Sequence, residues 1–239
     1  MEVGVSIERA KELISACKLN LSLETIHLDK ANGRILAKGL VSKVNDPRFD
    51  NSAMDGWAVR EEDCSSNNVT ILRIVGAIQA GSKNVHRIKS GEACKITTGA
   101  PIPEGADAIV IVENTRIEGE NVIITGQANK SFIRIKGENL SRGKLAIPEG
   151  TCMGSSTISL AATMGYDEIS VFRKPIIGII STGDELVMPN SEIKDWQIFE
   201  SNSFGIAALV EKMGGKPVRY GIVTDSVDQL RETMDDAVE

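Results

Sequence analysis

Aromatic residues are scarce in this chain: five Phe, two Tyr and two Trp make up 4% of 239 residues. Its cores must therefore be assembled from Ile, Val, Leu and Ala. Histidine is rarer still, with His27 and His86 the only two, which excludes a histidine-rich metal centre. Cys17, Cys64, Cys94 and Cys152 are far apart, with no C-x-x-C. That spacing argues against a zinc site or a redox pair and fits a reducing compartment. No apolar run approaches the ~20 residues that span a bilayer, and the longest, near Ile176 to Ile180, is strand-sized. The opening "MEVGVSIERAKELIS" has no basic segment followed by an apolar stretch, so no signal peptide is expected and the expected location is cytoplasmic. With 27 Lys and Arg against 33 Asp and Glu, the net charge is -6. Non-specific nucleic-acid binding needs clustered cations and is not expected.

The texture changes twice along the chain. Ser6 to Lys18 reads as a helix with Ser6 as N-cap and Ile7, Ala10, Ile14 and Cys17 on one face. A second helical pattern covers roughly Ser22 to Lys38, broken at Asn32-Gly33. From Val41 to about Lys136 short apolar runs alternate with Gly, Pro and Asn. "VTILRIVG", "EACKITTG", "DAIVIVE" and "NVIITG" are strand candidates there, with "RIEGENV" as a hairpin signal. "SSTISLAATMGY" returns to a helical pattern ending at Gly165. Past Pro175, "IIGIIST" has the form of a strand buried on both faces. It is followed by a helix with Ser201 or Asn202 as N-cap and Gly214 as its stop. A second strand, "KPVRYGIV", precedes a helix with Val227, Leu230, Met234 and Val238 expected inward. Strand-helix-strand-helix order predicts a parallel α/β layer with right-handed crossovers. Two strands leave such a layer incomplete, so the chain reads as a fragment or as a protein needing a partner.

Ligands of α/β sheets sit beyond the carboxyl ends of the strands. "STGDEL" and "TDS" follow the two strands there, so Asp184, Glu185 and Asp225 either crowd one edge as a site, or Asp184 and Glu185 merely cap or solvate a loop. Carboxylates gathered in this way repel unless a cation or donor relieves them, and Mg²⁺ suits such oxygen ligands. Ser181, Thr182 and Gly183 add hydroxyl and N–H donors for a phosphate or oxyanion. In "TTGAPIPEGAD", Thr98, Gly99 and their backbone either form plain turns or donate to an anion. The stretch "KSFIRIKGENLSRGK" sets Lys130, Arg134, Lys136, Arg142 and Lys144 against Glu138 alone. It is either a solvated loop or a small-anion site. "FDNSAMDGWAV" fits no periodic element, since its carboxylates, amide and hydroxyl lie between Phe49, Met54 and Trp57.

Taken in order, "PRFDNSAMDGWAV", "TTGAPIPEGADAIV", "IRIKGENLSRG", "IISTGDELV" and "ESNSFGIAALV" resemble the molybdopterin molybdenumtransferase family, which includes MoeA and the gephyrin E domain. The resemblance implies an α/β multi-domain chain. A helical linking domain would comprise residues 1–42 and 139–172, a β-rich inserted domain 43–138, and a partial α/β molybdopterin-binding domain 173–239. It implies molybdenum cofactor biosynthesis: Mg²⁺-dependent insertion of molybdate into adenylylated molybdopterin, with release of AMP. It further implies a homodimer with an active site shared across subunits, and a molybdopterin adenylyltransferase as pathway partner. In that scheme Asp55, Glu185 and Asp225 are catalytic, and Phe49, Met54 and Trp57 anchor the loop that presents Asp55. Thr98, Gly99, Ser181, Thr182, Gly183 and Asn202 contact the cofactor precursor, with the helix start at Asn202 suiting its phosphate. Asp184 and Glu200 would hold the metal. The alternative is a non-catalytic pterin-binding or scaffold protein of the gephyrin type. Three positions depart from the family pattern: Asn139 for an acidic residue, Glu200 for aspartate, and Trp57 for tyrosine. No P-loop or G-x-G-x-x-G occurs, which disfavours an unrelated nucleotide-processing fold.

Overall fold

A computed structural model describes residues 4–17, 20–64, 69–83 and 86–238. The α/β chain divides into two compact units. One comprises residues 1–38, 149–158 and 167–239, and the other comprises 39–148 and 159–166.

The second unit is built on a six-stranded mixed sheet. Its spatial order is Ala108–Ile111, Gly56–Val59, Glu92–Ile96, Thr70–Ile78, Asn121–Ile124, Thr115–Glu118. Thr70–Ile78 runs parallel to Glu92–Ile96, and the remaining pairs are antiparallel. Every strand candidate read from the sequence between 69 and 125 is present. The predicted hairpin pairs Glu118 with Asn121 across a two-residue turn. Side chains alternate to opposite faces of the sheet, and each face carries its own core. One core gathers Trp57, Val59, Leu72, Val110, Val122 and Ile124, the other Ile78, Ile88, Ile96 and Ile109. Aliphatic residues do dominate, with Trp57 the one buried large aromatic among the described residues.

In the first unit, α1 (Ile7–Ala16) starts at Ser6, whose hydroxyl accepts the Arg9 N–H at 3.2 Å. Its apolar stripe is not covered: Ile7 and Ile14 are 70% and 72% exposed. Lys18, the expected helix end, lies outside the described residues. The helix expected over Ser22 to Lys38 is instead a strand, Leu23–His27, followed by a 3-10 turn, Leu28–Lys30. Antiparallel pairing with Glu168–Phe172 overrides the local pattern and suits the β-branched Thr25 and Ile26. The Arg34 guanidinium fastens this pair by donating to the Glu24 carboxylate and the Phe172 carbonyl. Helix α2 (Ser155–Thr163) is divided between the two units and stops before Gly165.

Ile176–Thr182 and Lys216–Val223 form the predicted parallel pair, with α3 (Asn202–Lys212) between them in sequence and α4 (Val227–Val238) after them. Two expectations fail here. The Ile176–Thr182 strand is not buried on both faces: Ile176 is 67% exposed, and among the described residues the strand has one neighbour. Helix α4 turns Leu230, Thr233 and Ala237 toward cover, while Val227, Met234 and Val238 are exposed. Gly178 leaves room for this helix, since a Cβ there would stand 3.4 Å from that of Ala237.

Candidate functional site

The irregular stretch Phe49 to Val59 is held by side chains bonding nearby backbone. Asp50 accepts the Lys136 N–H at 2.7 Å, and the Asn51 amide donates to the Phe49 carbonyl at 3.2 Å. The Ser52 hydroxyl donates to the Met54 carbonyl at 2.6 Å and accepts the Met54 N–H. Strand Gly56–Val59 then enters the sheet between two neighbours. A Cβ on Gly56 would overlap the Val110 carbonyl oxygen and stand 2.9 Å from its carbon, so the close approach requires glycine. Of the three expected anchors only Trp57 is buried, its indole N–H donating to the Thr115 hydroxyl at 3.0 Å. Phe49 and Met54 are 45% and 37% exposed, so the loop is fixed by hydrogen bonds rather than by those side chains.

This framework leaves Asp55 exposed just outside the sheet. Its Oδ1 accepts both the Thr98 N–H, at 2.7 Å, and the Thr98 hydroxyl, at 3.1 Å. The structure thus joins Asp55 and Thr98, two of the expected site residues. It also favours the turn reading over the anion reading, because the donors are already engaged. The Thr98 N–H goes to Asp55, the Gly99 N–H to the Ser52 carbonyl and the Ala100 N–H to the Thr97 carbonyl. "TTGA" therefore serves as a tight turn that positions the Asp55 carboxylate.

In the other unit, register pairs Thr182 with Val223, so "STGDEL" and "TDS" leave the sheet at the same edge. Asp184 Oδ1 accepts the Asp225 N–H at 3.2 Å, and the Gly183 N–H donates to the Val223 carbonyl at 3.3 Å. Gly183 has φ 146°, and a Cβ there would meet the Glu185 carboxylate at 2.7 Å. Glu185 thus folds back over the turn. Thr182, Asp184, Glu185 and Asp225 are all exposed. A cavity of about 190 Å³ adjoins them, lined by Thr182, Thr224, Asp225, Ser226, Val227 and Leu230. The turns thus leave at one edge, but the side chains of Asp184, Glu185 and Asp225 do not gather there as a cluster.

Glu200 has a different environment. It is 2% exposed, and its carboxylate accepts the Ser203 N–H at 2.7 Å, the Ser203 hydroxyl at 2.6 Å and the Ser181 hydroxyl at 3.1 Å. The Asn202 N–H also bonds to it. Burial alone would push this carboxyl up, but the Ser203, Ser181 and Asn202 donors outweigh burial and hold it below its ordinary value. Glu200 caps α3, whereas neither Ser201 nor Asn202 contributes the capping side chain. An anionic phosphate expected at this helix start meets N–H groups already bonded to a carboxylate. Sequence reading missed this role. The available signal was an acid three residues ahead of Ser203 at a helix start.

The basic stretch is likewise committed in part. The Lys130 ammonium lies 2.8 Å from Glu61 and 3.2 Å from Asp107, and these two carboxylates raise its pKa. Asp107 is held low first by the Glu61 N–H and further by Lys130. Asn139 donates its amide to Asp46 at 3.1 Å, a contact that an acidic residue at 139 would turn into repulsion. Arg134, Lys136, Arg142 and Lys144 are exposed.

Mg²⁺ commonly takes one or two protein carboxylates and completes its shell with water and substrate phosphate. The exposed Asp184 and Asp225 fit that partial donor set. Glu200 does not, because serine and backbone donors take up its oxygens. Among the described residues no three His, Cys, Asp or Glu side chains gather as a metal cluster.

A parallel strand pair whose two turns leave at one edge, joined in one chain to a mixed β unit presenting Asp55, defines an α/β multi-domain class. The family model "MoeA N-terminal region (domain I and II)" matches residues 5–165, and the chain belongs to this family. The model "Probable molybdopterin binding domain" matches residues 178–239. A molybdopterin molybdenumtransferase of Nostoc sp. is 38% identical over 90% of this chain and 50% of its own length. Molybdopterin molybdenumtransferase 2 of Mycobacterium tuberculosis is 36% identical over 94% of this chain and 55% of its own. The chain thus spans about half the length of the curated relatives it matches. A crystal structure of a molybdopterin biosynthesis MoeA protein from Pyrococcus horikoshii superposes with a TM-score of 0.84 at 31% identity. It covers 98% of this chain and 61% of its own.

Proposed function

We propose that the protein is a molybdopterin molybdenumtransferase that inserts molybdate into adenylylated molybdopterin and releases AMP. The observation that carries this reading is the turn in which Asp184 accepts the Asp225 N–H at one edge of the parallel pair, in a chain whose relatives bear that name over most of this chain's length. Thr182 offers its hydroxyl to the pterin phosphate beside the cavity, and Asp184 with Asp225 would hold Mg²⁺. When bound, that ion supplies charge stabilisation to a departing phosphate. Asp55, oriented by its two bonds from Thr98, contributes its remaining oxygen to the reacting groups in a homodimer whose subunits share the site. A molybdopterin adenylyltransferase supplies the substrate, and the protein works in the cytoplasm. Molybdate is itself an anion, so its ligands are cations and neutral donors, with exposed Arg134 and Lys136 as candidates.

The test is AMP release by the full-length protein from adenylylated molybdopterin, with molybdate and Mg²⁺. Asp184→Asn and Asp55→Asn are expected to lower turnover at least 10-fold, a loss of about 1.4 kcal/mol in transition-state stabilisation. Unchanged turnover in both variants would refute the assignment. A second reading, a non-catalytic pterin-binding or scaffold protein, is favoured by the engagement of Glu200 away from any metal. It predicts pterin binding by calorimetry without AMP release.

A further inference from the structure

We infer that Glu200 is an internal anion that occupies the N-terminus of α3 and positions the Ser181–Glu185 turn. The site's phosphate therefore does not bind at that helix terminus.

Four hydrogen bonds support the role. Glu200 Oε1 takes the Ser181 hydroxyl at the end of strand Ile176–Thr182 and the Ser203 N–H in the first turn of α3. Oε2 takes the Ser203 hydroxyl. The Glu200 N–H donates to the Val187 carbonyl at 2.8 Å, just past the acidic turn. One buried side chain and its backbone thus tie together the segments before and after residues 182–186, together with the start of α3. Short parallel pairing of Leu186–Val187 with Ile198–Phe199 continues the same connection.

The chemistry is that of an anion site filled from within. A helix start presents unpaired N–H groups and positive partial charge, which an anion satisfies. Here the anion is part of the chain, with two serine hydroxyls completing its shell. The side chain is 2% exposed, so water does not compete for these bonds. A phosphate arriving at α3 would have to displace a carboxylate that already has several donors. The Thr182 hydroxyl is exposed at this edge, whereas the Thr224 hydroxyl donates to the Gln229 side-chain carbonyl at 2.5 Å.

The inference that Glu200 acts as a clasp stands without the enzymatic reading; only its consequence for the phosphate rests on that reading. The test uses the full-length protein with Glu200→Ala, Glu200→Asp and Glu200→Gln. Glu200→Ala is expected to lower Tm by about 5–10 °C. Added acetate should restore part of the loss and acetamide, its neutral analogue, should not. Equal rescue by both, or an unchanged Tm, would overturn the clasp. Should Glu200→Ala fail to fold, Glu200→Gln keeps the shape and is read by amide hydrogen exchange. Loss of protection at Ser203, recovered in Glu200→Asp, supports the clasp, and wild-type protection in Glu200→Gln refutes it. Inorganic phosphate titrated into wild-type protein should leave the Asn202 and Ser203 amide resonances unmoved. Saturable shifts there would overturn the filled-site claim. None of these readouts uses a pterin, so absence of transferase activity would leave them interpretable.

Discussion

Replacing Gly56 by alanine tests how the sheet sets Asp55 in place. The added Cβ would overlap the Val110 carbonyl oxygen, stand 2.9 Å from the Val110 carbon and lie 3.0 Å from the Ile111 Cα. These are backbone atoms of a paired strand, so no side chain can rotate away. Gly56 is also held on its other side by Ile96, which prevents the strand from sliding. Overpacking of this kind costs about 1–3 kcal/mol, and a rigid neighbour puts it at the upper end. Alanine recovers about 0.4–1 kcal/mol by restricting the unfolded chain. The net expectation is a loss of about 2 kcal/mol. Urea unfolding followed by Trp57 fluorescence measures it, since this indole is buried in the adjacent position whereas Trp196 is 59% exposed. Stability within about 0.5 kcal/mol of wild type, the range of a harmless surface change, would refute the steric argument.

Other outcomes follow from the same geometry. Trp57→Phe removes the indole donor to Thr115 and leaves a void, so urea unfolding should show a loss of about 2 kcal/mol, and no change would contradict the packing. Thr98→Val removes the hydroxyl donor to Asp55 but keeps its N–H bond; it should reduce turnover more than it reduces Tm, and the reverse order would argue for a purely structural contact. Glu200 has a folded-state pKa below its unfolded value, so its contribution is complete above the ordinary pKa of 4.5 and lost as pH falls through the lowered value. Wild type should therefore lose more stability than Glu200→Gln on acidification below pH 4.5, and parallel acid limbs would refute this.

The strands of the mixed sheet were legible because alternation, β-branched residues and turn punctuation all agree there. The Leu23–His27 strand was not, since its assignment depends on Glu168–Phe172, some 140 residues away. Likewise, the shared edge of the two turns followed from two strands ending in "STGDE" and "TDS", which a parallel pair must bring to one side. Pattern alone could not foresee that Glu200 would be buried, because its charge reads as a surface group until Ser181 and Ser203 are brought to it. The outward apolar stripe of α1 shows the opposite limit. Periodicity identified a face but not whether anything covers it.

The most direct measurement of the central claim is molybdate-dependent AMP release by the full-length protein supplied with adenylylated molybdopterin and Mg²⁺. The account predicts one AMP for each pterin converted in wild type and a loss of at least 10-fold in Asp184→Asn. Tight pterin binding with no AMP formed, or wild-type turnover in Asp184→Asn, would contradict it.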